Sequence, residues 1–185
     1  MPLDPALLDR FVAIVGAGHA LRETADIEPY VTERRGRYPG LSPLVLQPGS
    51  VDEVSRIMKL ATETGTAIVP QGGNTGLVGA QMPDRSGTQV VLSLSRLNRI
   101  REIDTLSNTV TAEAGVILEK LHEAADAAGR LFPLSLGSQA RARSVAISLP
   151  MRAAPAFCPT ATRVNSASAS RWCCPPARCS TICAS

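Results

Sequence analysis

Residues 66–77 read Thr66-Ala67-Ile68-Val69-Pro70-Gln71-Gly72-Gly73-Asn74-Thr75-Gly76-Leu77, and this run decides the fold. Its first four residues are a short, mostly apolar stretch that reads as a buried strand. Pro70 lacks an amide hydrogen and is expected to end that strand. Three glycines then fall within five positions. Glycine admits positive φ and lets a ligand approach bare backbone, and successive main-chain N–H groups in such a turn converge on an anion. Asn74 and Thr75 add short polar side chains that either donate to a phosphate or fix the turn. No lysine follows, so the run is not the G-x-x-x-x-G-K-[ST] nucleotide loop. A diphosphate held here would be met by dipoles rather than by an ammonium. Taken alone, the run serves equally as a diphosphate cradle for a dinucleotide or as a glycine-rich turn with no ligand.

The residues upstream favour the cradle. Pro43-Leu44-Val45-Leu46-Gln47 reads as a strand. Ser50-Val51-Asp52-Glu53 is a capping box, with Ser50 at the N-cap and Glu53 reaching back. Val51, Val54, Ile57, Met58 and Ala61 form the buried stripe of the helix that follows, and Gly65 stops it. Strand, helix, strand and glycine loop make a right-handed β-α-β unit with a ligand at the strand's carboxyl end.

Nearer the N-terminus, Asp4-Pro5 opens a helix, with Asp as N-cap and Pro in the first turn. Leu7, Leu8, Phe11, Val12 and Val15 line one face and Gly16 closes it. Ala13-Ile14-Val15-Gly16-Ala17-Gly18 imitates a strand entering G-x-G-x-x-G, but Leu21 occupies the third glycine position and the preceding spacing is helical. His19 has no metal-spaced partner and reads as a loop residue. Residues 24–42, rich in Arg and Gly, read as an irregular polar arm lying across the domain, its arginines solvated or ion-paired.

Downstream, Met82 to Gly87 is a turn cluster and Gln89 to Ser93 a strand. Ile100 to Asp104 and Thr109 to Glu113 alternate as a hairpin joined at Ser107-Asn108. A helix then buries Ile117, Leu118, Leu121, Ala125 and Ala128 and ends at Gly129. His122 flanks that face, half exposed, with no carboxylate placed beside it. Leu131-Phe132-Pro133-Leu134 returns to the core.

Composition narrows the function. The chain has 185 residues, enough for one ordinary domain or one and a fragment. Its net charge is +3, yet residues 140–185 carry six arginines and no acid, so residues 1–139 are at −3 and offer no nucleic-acid footprint. All five cysteines (158, 173, 174, 179 and 183) also fall in that last stretch. The body therefore holds no disulfide framework. No basic-then-apolar leader and no apolar run of about 18 residues is visible, so the expectation is a cytoplasmic protein without a membrane span.

The run Pro70 to Gly79 is similar to the first FAD loop of flavoproteins with the p-cresol-methylhydroxylase-type domain. More narrowly, the chain resembles FAD-linked 2-hydroxy-acid dehydrogenases: D-lactate dehydrogenase, the glycolate oxidase FAD subunit and D-2-hydroxyglutarate dehydrogenase. The likeness runs to about Gln139 and includes Tyr30 to Gly36, Val90 to Leu94, Glu113 to Val116 and Leu131 to Leu134. It implies an α+β fold: the N-terminal half of such an FAD-binding domain at 43–139, a β-α-β unit plus antiparallel strands and a helix, preceded by a helix and arm at 1–42. By resemblance, Gly72, Gly73, Asn74, Thr75, Gly76 and Leu77 hold the FAD pyrophosphate, Pro70 and Gln71 flank it, and Pro133 and Ser138 lie near the flavin. The substrate implied is a small 2-hydroxy acid, oxidised by hydride transfer to FAD.

After Gln139 the text changes. Residues 140–185 contain no Asp, Glu, Lys, Gly or Tyr. The family's second FAD stretch, Gly-Gly-Asn-Leu-Ser-Thr-Asn-Ala-Gly-Gly, is missing. It is recoverable in another frame: joining the third base of each codon to the first two of the next, the codons of Ser144 to Ala154 permit that stretch. Cys158 to Ser166 permit Pro-Tyr-Gly-Asn-Ala-Arg-Glu-Leu in the same offset, and Ala169 to Pro175 permit Leu-Glu-Val-Val-Leu-Pro. The expectation is a frameshifted, truncated flavoprotein whose residues 140–185 form an out-of-frame or disordered tail and which is itself inactive. Three alternatives stand beside it. One is a small binding module whose basic tail recruits an acidic partner; another is NAD rather than FAD at the glycine loop. The third, a zinc site in the tail, lacks His and any C-x-x-C pair.

Overall fold

The computed structural model describes residues 3–33, 35–134, 137 and 140–143, and the backbone of 163–166 and 169–173. The fold is mixed α+β, in two units, Met1–Leu97 and Asn98–Ser185.

In the first unit, helix α1 (Pro5–Val15) starts where Asp4 accepts a hydrogen bond from the Ala6 amide, with Pro5 in its first turn. It ends at Gly16, whose φ is 83°. The imitation dinucleotide motif is thus helix, followed by a 3-10 turn at Ala17–His19. Strand β1 (Ala20–Leu21) comes next, then helix α2 (Thr24–Val31). That helix corrects the irregular arm expected for 24–42. It has no side-chain N-cap and carries Pro29 inside, so its local signals are weak. Its stability comes from tertiary contacts: Ile27 is buried against Val45 and Val91, with Leu21, Tyr30 and Val31 packed around them.

Strand β2 (Val45–Leu46), helix α3 (Val51–Thr64), strand β3 (Ile68–Gln71) and strand β4 (Val90–Ser93) complete the unit. The sheet order is β1-β2-β4-β3, with β4 parallel to both β2 and β3. The central strands β2 and β4 are fully buried. Strand β3 sits at the edge and is only half buried, which corrects the buried strand expected at 66–69. On α3 the buried residues are Ile57, Leu60 and Ala61. Met58, expected inside, is 45% exposed. Leu60 and Ala61 lie three and four residues from Ile57, one turn along the same face, whereas Met58 turns about 100° away.

In the second unit, strands β5 (Ile100–Asp104) and β6 (Thr109–Ala112) form the expected antiparallel hairpin, with Asn108 at φ 52° in the turn. Helix α4 (Leu118–Ala127) packs Leu118, Leu121 and Ala125 against Val110, Ala112 and Phe132. The residues described beyond position 139 contribute contacts and strands. Ala142 is buried in this core, and its carbonyl accepts from the Leu118 amide at 2.9 Å. Strands β7 (Arg163–Ser166) and β8 (Ala169–Cys173) pair onto β6 in the order β5-β6-β8-β7. An open antiparallel edge accepts an extended neighbour through main-chain bonds, largely regardless of its side chains.

Candidate functional site

Edge strand β3 delivers the glycine loop. The Val90 amide donates to Ala67 and the Leu94 amide to Gln71, both at 3.0 Å. The main-chain groups of residues 67 and 71 therefore face β4. In a strand the facing alternates, so those of Pro70 point to the open side. Pro70 thus costs the ladder no bond and lies inside the strand instead of ending it.

Gln71 is 1% exposed. Its Nε2 donates to the Tyr30 carbonyl at 2.8 Å and to the Gln81 carbonyl at 3.1 Å. Asn74 sits at φ 52°, a conformation Asn tolerates better than most residues. Its Nδ2 donates to the Pro29 carbonyl at 3.2 Å and the Thr32 carbonyl at 3.1 Å. Of the two roles open to Asn74, the donors are committed to fixing the turn. Gln81 closes the other flank, its Nε2 donating to the Gly76 carbonyl at 2.8 Å. A Cβ on Gly76 would come within 2.5 Å of the Gln81 Oε1. Gly79, at φ 75°, lies under the Tyr38 ring, which would stand 2.7 Å from a Cβ there.

The main chain of the loop is left differently. Among the described residues, no acceptor is paired with the amide N–H of any residue from Gly73 to Val78. The hydroxyl of Thr75 likewise has no hydrogen bond among them. Leu77 and Val78 are exposed, at 56% and 78%. The loop therefore offers uncommitted neutral donors on a bare backbone, a donor set that fits a diphosphate. Two buried acceptors, Oε1 of Glu33 and Oδ1 of Asn74, have no partner among the described residues. The other Glu33 oxygen accepts from the Arg37 amide at 3.1 Å.

Pro70, Gln71, Gly72, Gly73, Asn74, Thr75, Gly76 and Leu77 are thus consecutive in the first unit. Pro133 belongs to the second, half buried after the buried Phe132. Ser138 lies outside the described residues. His122 is held by its Nε2 donating to the Leu134 carbonyl at 2.7 Å. Tyr30, Tyr38 and Gln81 support the loop; Tyr30 lies in the Tyr30 to Gly36 stretch that carries the resemblance, whereas no local signal marks Tyr38 or Gln81 as a partner of the loop. No helix among the described residues is long and apolar enough to cross a membrane.

The profile of a family described as an FAD binding domain matches residues 42–152, more than half of the chain. The D-2-hydroxyglutarate--pyruvate transhydrogenase of Saccharomyces cerevisiae is 43% identical over 103 residues, covering 56% of this chain and 20% of that protein. The mitochondrial D-2-hydroxyglutarate dehydrogenase of Arabidopsis thaliana is 35% identical over 137 residues, covering 74% of this chain and 24% of that protein. The chain thus spans about a fifth to a quarter of the length of these curated relatives. Among solved structures, alkyldihydroxyacetonephosphate synthase superposes with a TM-score of 0.69 at 19% identity, covering 77% of this chain and 28% of that one. Substrate-bound p-cresol methylhydroxylase gives 0.63 at 21% identity, covering 74% and 27%. At such identities the likeness is one of fold.

Proposed function

The chain belongs to the FAD binding domain family, and from that premise we propose that its 72–77 loop receives the FAD diphosphate. The whole protein would oxidise a D-2-hydroxy acid. The observation that carries this is the uncommitted row of amides from Gly73 to Val78 beside carboxamides that are fully engaged as donors. Those amides would hold the diphosphate by dipoles, Thr75 would add a hydroxyl donor, and Gly76 would leave room for the Gln81 side chain that ties the loop. Pro70 and Gln71 would set the height and angle of the loop, and Pro133 and Ser138 would lie nearer the flavin. FAD, when bound, supplies the ring system that accepts the hydride from the hydroxyl-bearing carbon. A small 2-hydroxy acid as substrate accords with the names of the relatives.

We also propose that this chain is itself inactive. Residues 140–185 would be an out-of-frame tail that has lost the second FAD stretch, leaving one grip on the cofactor. Titrating the purified chain with FAD and following flavin fluorescence tests this: weak or absent binding and no turnover of D-2-hydroxyglutarate or D-lactate are expected. A yellow protein with one FAD per chain overturns it. The gene's nucleotides beyond codon 139 test the tail directly, since they must spell Gly-Gly-Asn-Leu-Ser-Thr-Asn-Ala-Gly-Gly one base back. The cytoplasmic setting belongs to the same proposal, although the Arabidopsis relative is named as mitochondrial; fractionation of the producing cells decides it.

A further inference from the structure

We propose that Gln71 and Asn74, seconded by Gln81, are positioning residues: their carboxamides cap the C-terminal end of helix α2 and so hold the glycine loop with its own amides turned out for a diphosphate. The positioning half of this rests on the FAD proposal above; the capping half does not.

An α-helix leaves its last four carbonyls without intrahelical partners. In α2 these belong to residues 28–31, and each is met from outside the helix. The Thr32 amide donates to Glu28, and the Gly40 amide to Val31 at 3.1 Å. Pro29 and Tyr30, between them, are met by the side chains of Asn74 and Gln71. Asn74 also takes the Thr32 carbonyl just beyond. Two of the four carbonyls are therefore capped by residues more than 40 positions further along the chain. That explains why α2 forms although it has no N-cap side chain and contains a proline.

The arrangement constrains the loop in return. Gln71 ties the strand end to α2 and to the Gln81 carbonyl, and Gln81 ties back to Gly76. The loop is fixed at positions 71, 74 and 76 through side-chain amides, without using a main-chain N–H of residues 73–78. The carbonyl end of a helix carries partial negative charge, which disfavours a nearby diphosphate. Donors placed on those carbonyls quench part of that charge. Side-chain carboxamides thus do the structural bonding, and the backbone donors remain for the ligand.

The experiment uses the full chain, its Asn74→Gly variant and its Gln71→Met variant. Glycine keeps the positive φ of residue 74 and removes only the carboxamide; methionine keeps the shape of Gln71 without its donors. Hydrogen exchange reports on α2 with α3 as internal reference, and amide shifts of Gly72, Gly73 and Gly76 follow a titration with inorganic pyrophosphate. The expected result for Asn74→Gly is exchange in α2 faster by roughly tenfold, with α3 unchanged, and pyrophosphate affinity weaker by roughly tenfold. Gln71→Met should act in the same direction. Wild-type exchange in α2 of Asn74→Gly would overturn the cap, because φ alone would then account for Asn74. Faster exchange with unchanged pyrophosphate affinity would overturn the positioning role. A wild-type chain whose loop amides ignore pyrophosphate would overturn the FAD proposal, while the exchange data would still decide the cap.

Discussion

Oε2 of Glu53 accepts a hydrogen bond from the Gly49 amide at 2.8 Å, one residue ahead of Ser50, whose hydroxyl accepts from the Glu53 amide at 3.1 Å. The capping box closes, but its return arm lands on the residue before the N-cap. Ser50→Ala is expected to lower stability by about 1 kcal/mol, the usual cost of losing such a cap. Glu53→Ala should cost somewhat less, since the Gly49 amide is only part-buried. Urea unfolding followed by helical circular dichroism measures both; a Ser50→Ala midpoint equal to wild type would remove the cap from the account of α3.

Two neighbours on α3 should behave oppositely. Ile57 is fully buried and Met58 is 45% exposed. Ile57→Ala is expected to cost about 2–4 kcal/mol, through lost burial and the cavity it leaves. Met58→Ala should stay within about 0.5 kcal/mol, as surface changes do. Equal losses in denaturant titrations would mean that α3 is rotated away from the face that buries Ile57.

Gly79 combines φ 75° with a Tyr38 ring that would stand 2.7 Å from an added methyl. Gly79→Ala should therefore lose about 1–3 kcal/mol, from backbone strain plus displacement of the ring. Gly65, also left-handed at φ 66° but with open space around it, should lose about 1 kcal/mol on the same change. The comparison isolates the ring: identical losses at the two positions, read from thermal melts, would count against Tyr38 lying over the loop.

Asp84 has a distinct acid response. The Ser86 hydroxyl, and then the Ser86 amide, donate to its carboxylate and hold its pKa below the ordinary 3.8. A lowered folded value means that the turn's contribution to stability is complete above about pH 3.8. It is lost as the pH falls through the folded value. The carboxyl carbon shift of Asp84 should titrate with a midpoint below 3.8 and move upward in Ser86→Ala. A midpoint at or above 3.8 in the wild-type chain would contradict the bond.

Elements with a local chemical start and stop are legible in the sequence. Asp4-Pro5, Ser50 with Glu53, Gly65 and the Ser107-Asn108 turn each act within a few residues, and each stands where expected. The glycine loop is legible because bare backbone can be specified only by residue type, although the positive φ in this run falls on Asn74 and Gly79 and not on Gly72, Gly73 or Gly76. Helix α2 is not, because two of its carbonyls are capped from Gln71 and Asn74, far along the chain. Met58 and Leu60 exchange places because 3.6-residue periodicity tolerates a shift of phase when several apolar residues are adjacent. Pro70 reads as a stop because sequence gives no hint of which edge of a strand is open.

That last feature bears on how the molecule keeps to itself. On its outer side, β3 offers a carbonyl at position 70 but no matching hydrogen, so a foreign strand laid alongside would find a gap in the middle of its register. The sheet can therefore end here without inviting stacking into fibrils, and the residue that precedes the ligand loop also guards the border.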